Sequence, residues 1–222
     1  MDWSAFALSL KLAAWTAAIL VPIGIVLGRV LAWRYFKGKS LIEALLALPL
    51  VLPPTVLGFY LLNAMGGNSA IGRLYQSLLG DSLVFTFSGL VVASVVFNLP
   101  FAIQPMQRGF EAIPDDIRDA AACCGLSRWR IFTRIELPLA WPGILSAVIL
   151  TFAHTLGEFG VVLMVGGSIP DETKTIAIAI YDRVQAFDPA NAGLMSAVLL
   201  GFSFVSIAFV YLLSNRGRRR HA

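Results

Sequence analysis

Five apolar stretches dominate the chain, at approximately 10–33, 41–64, 84–107, 141–166 and 192–214. A helix needs about 20 apolar residues to cross the hydrocarbon core of a bilayer, and in lipid each backbone polar group must be satisfied internally. Runs of this length predict an all-α integral membrane protein with about five transmembrane helices. The chain is 58% hydrophobic and 14% charged, whereas soluble domains run near ~45–50% apolar and ~25% charged. Its 222 residues suit one compact unit. We read a transmembrane domain over 5–214 and a basic tail over 215–222. Lys11 and Arg29 flank the first run, and both side chains can snorkel toward a headgroup region. A cleaved signal peptide fits this run poorly, because its first basic residue is only Lys11 and its apolar stretch is too long.

The loops predict the orientation. Arg29, Arg34, Lys37 and Lys39 follow the first run. Arg108, Arg118, Arg128, Arg130 and Arg134 lie between the third and fourth, and Arg216, Arg218, Arg219 and Arg220 follow the fifth. With an odd number of crossings these cations share one side, leaving Lys11, Arg73, Lys174 and Arg183 on the other. The positive-inside rule then places the N-terminus outside and the C-terminus in the cytoplasm. Two further segments read as ordered. Residues 68–80 carry Ile71, Leu74, Tyr75, Leu78 and Leu79 at helical spacing, which predicts a short surface helix. Residues 170–190 read as a turn at Pro170–Lys174 and then a short helix that dips back into the protein.

The loop between the third and fourth runs is unusually well built. Pro114 suits a first helical position, and Asp115 and Asp116 follow where the helix dipole favours anions. Ala120, Ala121 and Ala122 favour helix and let another backbone approach closely. Gly125 suits a left-handed stop, and Ser127 can cap a second helix starting at Arg128. This predicts a helix over 114–125, about 15 Å long, lying across the membrane. A plain hairpin with good caps would read the same way. The adjacent Cys123 and Cys124 read as small reduced residues, since sequence neighbours rarely form an unstrained disulfide.

From Asp119 to Pro138 the residues read D-A-A-x3-G-x9-I-x-L-P. This resembles the coupling loop of ATP-binding-cassette importer permeases, E-A-A-x3-G-x9-I-x-L-P, with Asp119 in place of Glu. The matching positions are Asp119, Ala120, Ala121, Gly125, Ile135, Leu137 and Pro138. The resemblance implies a helix that docks into a cleft on a separate ATPase subunit. It further implies two ATPase copies carrying ATP and Mg, a second copy of this chain, and an external oxyanion-binding protein. The setting it implies is the cytoplasmic membrane of a bacterium or archaeon. No cofactor is expected on this chain, and nothing suggests nucleic acid. Residues 48–58 and 156–173 are similar to the corresponding stretches of molybdate-type permeases, which implies molybdate as cargo, with tungstate or sulfate as alternatives.

Read from the residues alone, Pro49, Pro53 and Pro54 each remove a helix hydrogen bond. They predict a kink beside a translocation path, or a packing kink alone. Gly157 and Gly160 permit close helix approach. Glu158 is an intramembrane carboxylate, which costs about 2.5–3.5 kcal/mol at a helix centre and must face protein or water. It is read as a structural hydrogen bond near a gate, or as a protonated side chain, and not as an anion ligand. His154 stands one turn before it, so a His154–Glu158 pair and a His satisfied in a helix interface are both open. Thr55, Asn98 and Thr155 are candidate linings of a path between two copies. Gly38-Lys39-Ser40 lacks the Gly a phosphate loop needs five residues earlier, where Trp33 stands. No Ser/His/Asp set or metal-ligand cluster stands out, so a transport subunit is expected rather than an enzyme. An ion-coupled secondary transporter would carry an inverted repeat or more intramembrane charge.

Overall fold

The computed structural model describes residues 2–218 of the chain; of the predicted tail over 215–222, residues 219–222 lie outside the described residues. The helices are α1 Trp3–Trp33, α2 Lys39–Val51, α3 Pro54–Met65, α4 Ala70–Leu79, α5 Phe87–Glu111, α6 Asp115–Cys123, α7 Arg128–Ile131, α8 Leu137–Gly157, α9 Gly160–Gly166, α10 Ile176–Gln185 and α11 Pro189–Arg218. A π-helical turn, Phe132–Glu136, joins α7 to α8. Among the described residues four continuous helical stretches are long and apolar enough to cross a membrane, or up to five if the bent pair α2–α3 counts as one.

The first helix starts seven residues earlier than the predicted 10–33. The Asp2 carboxylate accepts the Ala5 N–H at 3.0 Å, capping the helix. Lys11, the charge that set the expected boundary, holds its Nζ 4.4 Å from the centroid of the Phe87 ring. A cation over an aromatic face is tolerated inside an apolar run.

Helices α1, α5 and α8 pack against one another and form the centre of the bundle. Glycines bring the backbones together where no side chain would fit. A Cβ on Gly28 of α1 would stand 2.9 Å from the Gln107 nitrogen, and one on Gly143 of α8 would stand 2.5 Å from the Pro105 carbonyl oxygen of α5. Small residues at helix crossings are the usual basis of packing in lipid, where burial of apolar surface gives no drive between helices. Met106, Phe110, Ala140 and Ile144 fill the space around these crossings.

Two predicted spans are not continuous helices. The run over 41–64 is bent by 113° between α2 and α3. Pro53 and Pro54 remove two N–H donors, and Leu52 and Pro53 are extended at φ −72°, ψ 137° and φ −55°, ψ 134°. Pro49, by contrast, sits inside α2 without ending it. The run over 141–166 is interrupted at Glu158 and Phe159, between α8 and α9. The two breaks lie against each other, since a Cβ on Gly160 would stand 2.8 Å from Pro54 Cβ, and Gly58 abuts Val161 and Met164.

Contacts sort the elements between two ends of the bundle. At one end Ser9 Oγ accepts the Ile176 N–H at 2.8 Å, and Met65 at the close of α3 packs with Leu83 and Val84 just before α5. At the other end Arg29 meets Glu136, and Gln107 donates to both Glu43 of α2 and Glu111 at 2.9 Å. The bent pair α2–α3 thus runs from the second end to the first. The predicted surface helix over 68–80 is α4, capped by Ser69 and stopped at Gly80 with φ +82°. The predicted turn and short helix over 170–190 are the turn before α10 and α10 itself.

Candidate functional site

The loop that carries the Asp119–Pro138 pattern folds into α6, a tight stop and the ascending α7–α8 helix. Pro114 is the N-cap at φ −59°, ψ 138°, one position before the first helical residue expected of it, and Asp115 and Asp116 fill the first turn. The helix ends in paired hydrogen bonds: Gly125 N–H to the Ala122 carbonyl at 3.0 Å and Leu126 N–H to the Ala121 carbonyl at 3.2 Å. Gly125 has φ +75°. Nothing lies within 4 Å of where its Cβ would be, so the backbone sign alone demands glycine here. Ser127 then caps α7, accepting the Arg130 N–H at 3.4 Å.

Asp119, Ala120, Ala122, Cys123 and Cys124 are exposed, while Ala121 is buried. Most of the α6 surface is therefore open, and Ala120, Ala122, Cys123 and Cys124 form a strip of small residues on it. Ile135 and Glu136 lie in the π-helical turn, and Leu137 and Pro138 open α8. Both cysteines are free thiols.

Beneath this strip lies an ionic network that sequence reasoning missed. Glu136, the unassigned residue between Ile135 and Leu137, is 1% exposed. Its carboxylate accepts Arg29 Nε at 2.6 Å and Arg29 Nη2 at 3.1 Å, a two-pronged pair reaching across to α1. Arg118 of α6 donates to the same carboxylate through Nε at 3.3 Å. The Arg118 guanidinium also sits 3.7 Å from the centroid of Trp33, which is itself edge-on to Phe110 at 5.4 Å. One carboxylate thus ties α6 to the end of α1 and the foot of α8. The π-helical turn holds an extra residue per turn, and Glu136 is its last residue, facing inward. Asp119 lines the adjoining cleft of about 390 Å³ together with Arg34 and Arg128.

The other singled-out residues fall into two groups. Pro53, Pro54 and Thr55 are exposed at the α2–α3 break. Glu158 stands at the neighbouring α8–α9 break; it is 7% exposed, and its Oε1 accepts the Val161 N–H at 2.8 Å, capping α9. Asn98 and Thr155 are buried within the chain. Thr155 Oγ1 donates to the Thr151 carbonyl at 2.7 Å, and Asn98 Nδ2 to the Ser94 carbonyl at 2.8 Å. His154 meets Asn98 and not Glu158: Nδ1 is 3.0 Å from Asn98 Oδ1, and the ring stacks on Phe101 at 4.0 Å.

A larger cleft, of about 590 Å³, lies between α1, α2 and α5. Glu43 and Glu111 line it beside Arg108, so two carboxylates face any anion there.

The chain belongs to the family of binding-protein-dependent transport system inner membrane components, whose model matches residues 21–219. Among its relatives is the molybdenum transport system permease of Azotobacter vinelandii, 47% identical over 210 residues, covering 95% of this chain and 93% of the relative. The molybdenum permease of Escherichia coli K12 is 34% identical over 99% of this chain and 96% of its own length. The sulfate permease CysT of the same strain is 31% identical over 88% and 72%. The fold is shared with solved transporters at lower identity. A chain of a bacterial alginate ABC transporter matches with TM-score 0.76 and 18% identity, over 96% of this chain and 78% of that one. The methionine transporter MetNI matches with TM-score 0.70 and 15% identity, over 97% and 94%.

Proposed function

We propose that the chain is the membrane-spanning subunit of an ATP-driven molybdate importer in the cytoplasmic membrane of a bacterium or archaeon. The observation that carries this reading is the 47% identity, over nearly the full length of both chains, to a molybdenum permease. Sulfate is the second reading, supported by the 31% identity to a sulfate permease; tungstate shares the chemistry of a tetrahedral dianion.

In this reading α6 docks on a separate ATPase subunit, which supplies ATP and Mg. The exposed alanines of α6 support such docking, since they allow close backbone approach. Two ATPase copies, a second copy of this chain and an external binding protein complete the assembly. The chain crosses five times, with α2–α3 counted as one bent crossing that joins the two ends of the bundle. The cations of the α1–α2 and α5–α8 loops cluster at the end that carries α6, which supports a cytoplasmic α6 and an outside N-terminus.

The path runs past the paired breaks. Thr55, at the start of the half-helix α3, is exposed there, and half-helix N-termini at membrane depth favour anions. In a background with Cys123 and Cys124 replaced by serine, Thr55→Cys is expected to react with a small polar thiol reagent, at a rate that changes when ATP is added. Complete inertness in every transport state would remove Thr55 from the path.

The function itself is tested in the native host. Deleting the chain is expected to lower cellular molybdenum at trace molybdate, measured by mass spectrometry, with restoration by the wild-type chain. An unchanged molybdenum content, combined with lost sulfate uptake, would overturn molybdate in favour of sulfate.

A further inference from the structure

We propose that the groove between the end of α1 and the start of α7 binds the phosphate headgroup and one acyl chain of an anionic phospholipid. The groove has a volume of about 330 Å³. Its floor is apolar, made by Ile25, Val26 and Val30 of α1 and by Phe132. Val26 is 60% exposed and Trp129 71% exposed, which leaves a continuous apolar surface open on this side. Arg29 and Arg128 also line the groove. The Trp129 ring packs 5.6 Å from Phe132, and the Arg29 guanidinium lies 5.4 Å from the centroid of Phe132.

Depth and charge both select a lipid. Trp3 and Trp33 bracket α1, and 30 residues of helix rise about 45 Å, the thickness of a bilayer with its headgroup regions. Trp33 and the neighbouring Arg29 and Arg128 thus fall at headgroup level, where tryptophan is favoured. Ile25 and Val26 lie about one turn deeper, where acyl chains begin. The charges are not equivalent. Arg29 spends Nε and Nη2 on Glu136, yet stays 36% exposed. Arg128 is exposed, and among the described residues no carboxylate lies within ion-pair distance of it, although Asp119 lines the cleft they share. A cation over an apolar slot at this depth matches a phosphodiester joined to an acyl chain, and a zwitterionic headgroup would bring its own cation against Arg128. This inference rests on membrane embedding alone and stands apart from the cargo.

The test uses the full chain, with its copurifying subunits, in detergent. Phosphatidylglycerol and phosphatidylcholine of matched acyl chains are added, and retained lipid is counted by native mass spectrometry. The wild type is expected to retain phosphatidylglycerol preferentially. Arg128→Gln is expected to reduce that preference about five-fold, the usual contribution of one arginine near an anionic surface. Trp129→Ala should weaken retention of both lipids, and Arg73→Gln, at the other end of the molecule, should change neither. Equal retention of the two lipids by the wild type would overturn the proposal, as would an undiminished preference in Arg128→Gln. Displacement of the lipid by inorganic phosphate alone would reduce the groove to an anion site and overturn it equally.

Discussion

Glu136→Ala is expected to destabilise the chain and to loosen the link between α6 and the membrane helices. The substitution leaves Arg29 and Arg118 facing each other without the carboxylate that both contact. Removing one partner of a fully buried ion pair costs about 3–5 kcal/mol. Here the two guanidinium side chains keep 36% and 28% of their surface in water, so a loss of about 2–3 kcal/mol is expected. It should appear as a lowered unfolding midpoint in detergent. The larger effect concerns coupling. Arg118 is the side chain through which α6 reaches Glu136, and Trp33 beneath it belongs to α1. Without the carboxylate, movement of α6 passes less fully to α1 and α8. In the reconstituted complex, uptake per ATP hydrolysed should fall several-fold while ATP turnover continues. Replacing Arg29, Arg118 and Glu136 together by apolar residues of similar size separates the two effects. Stability should then recover, since such swaps are often neutral or stabilising, and the coupling ratio should stay low. An unchanged ratio in both variants would limit the network to holding the fold.

Gly125→Pro is expected to abolish capture of the ATPase subunit while leaving membrane insertion intact. Proline fixes φ near −65° where the chain requires +75°. It also removes the N–H that bonds to the Ala122 carbonyl at 3.0 Å. The residue before proline is pushed out of the helical region, and Cys124 now sits at φ −74°, ψ 6°. The end of α6 therefore unravels at the strip proposed to dock. Gly125→Ala gives a graded comparison. Nothing crowds its Cβ, so only the left-handed backbone cost of about 1–2 kcal/mol applies, and capture should be weakened without being lost. Affinity pull-down through a tag on this chain reads all three proteins. Full capture by Gly125→Pro would remove α6 as the docking element.

Much of the architecture was legible because lipid imposes long apolar runs, and local chemistry marks the ends of helices. Gly125 and Ser127 each act within a few residues of themselves, so their roles could be read directly. The α2–α3 break was announced by Pro53 and Pro54, although its 113° size was not. The α8–α9 break was hidden, since Gly157 and Gly160 read equally well as packing glycines. Whether Glu158 caps a half-helix or sits in a continuous one depends on how the chain bends around it. The least legible part was the network under α6. Arg29 and Glu136 are 107 residues apart, and His154 and Asn98 are 56 apart. Periodicity and spacing report neighbours along a helix, and these partners meet only once α1, α5 and α8 have packed. The motif itself concealed Glu136, because it stands at one of the positions where the pattern accepts any residue.

The most direct measurement of the central claim is uptake into proteoliposomes containing the purified complex, with its binding protein outside and ATP inside. Labelled molybdate is the cargo, and unlabelled molybdate, tungstate and sulfate compete. Uptake is expected to require ATP, the ATPase subunit and the binding protein together, with sulfate the weakest competitor. Molybdate uptake by this chain alone without ATP, or uptake in the full complex that sulfate suppresses more strongly than molybdate does, would contradict that claim.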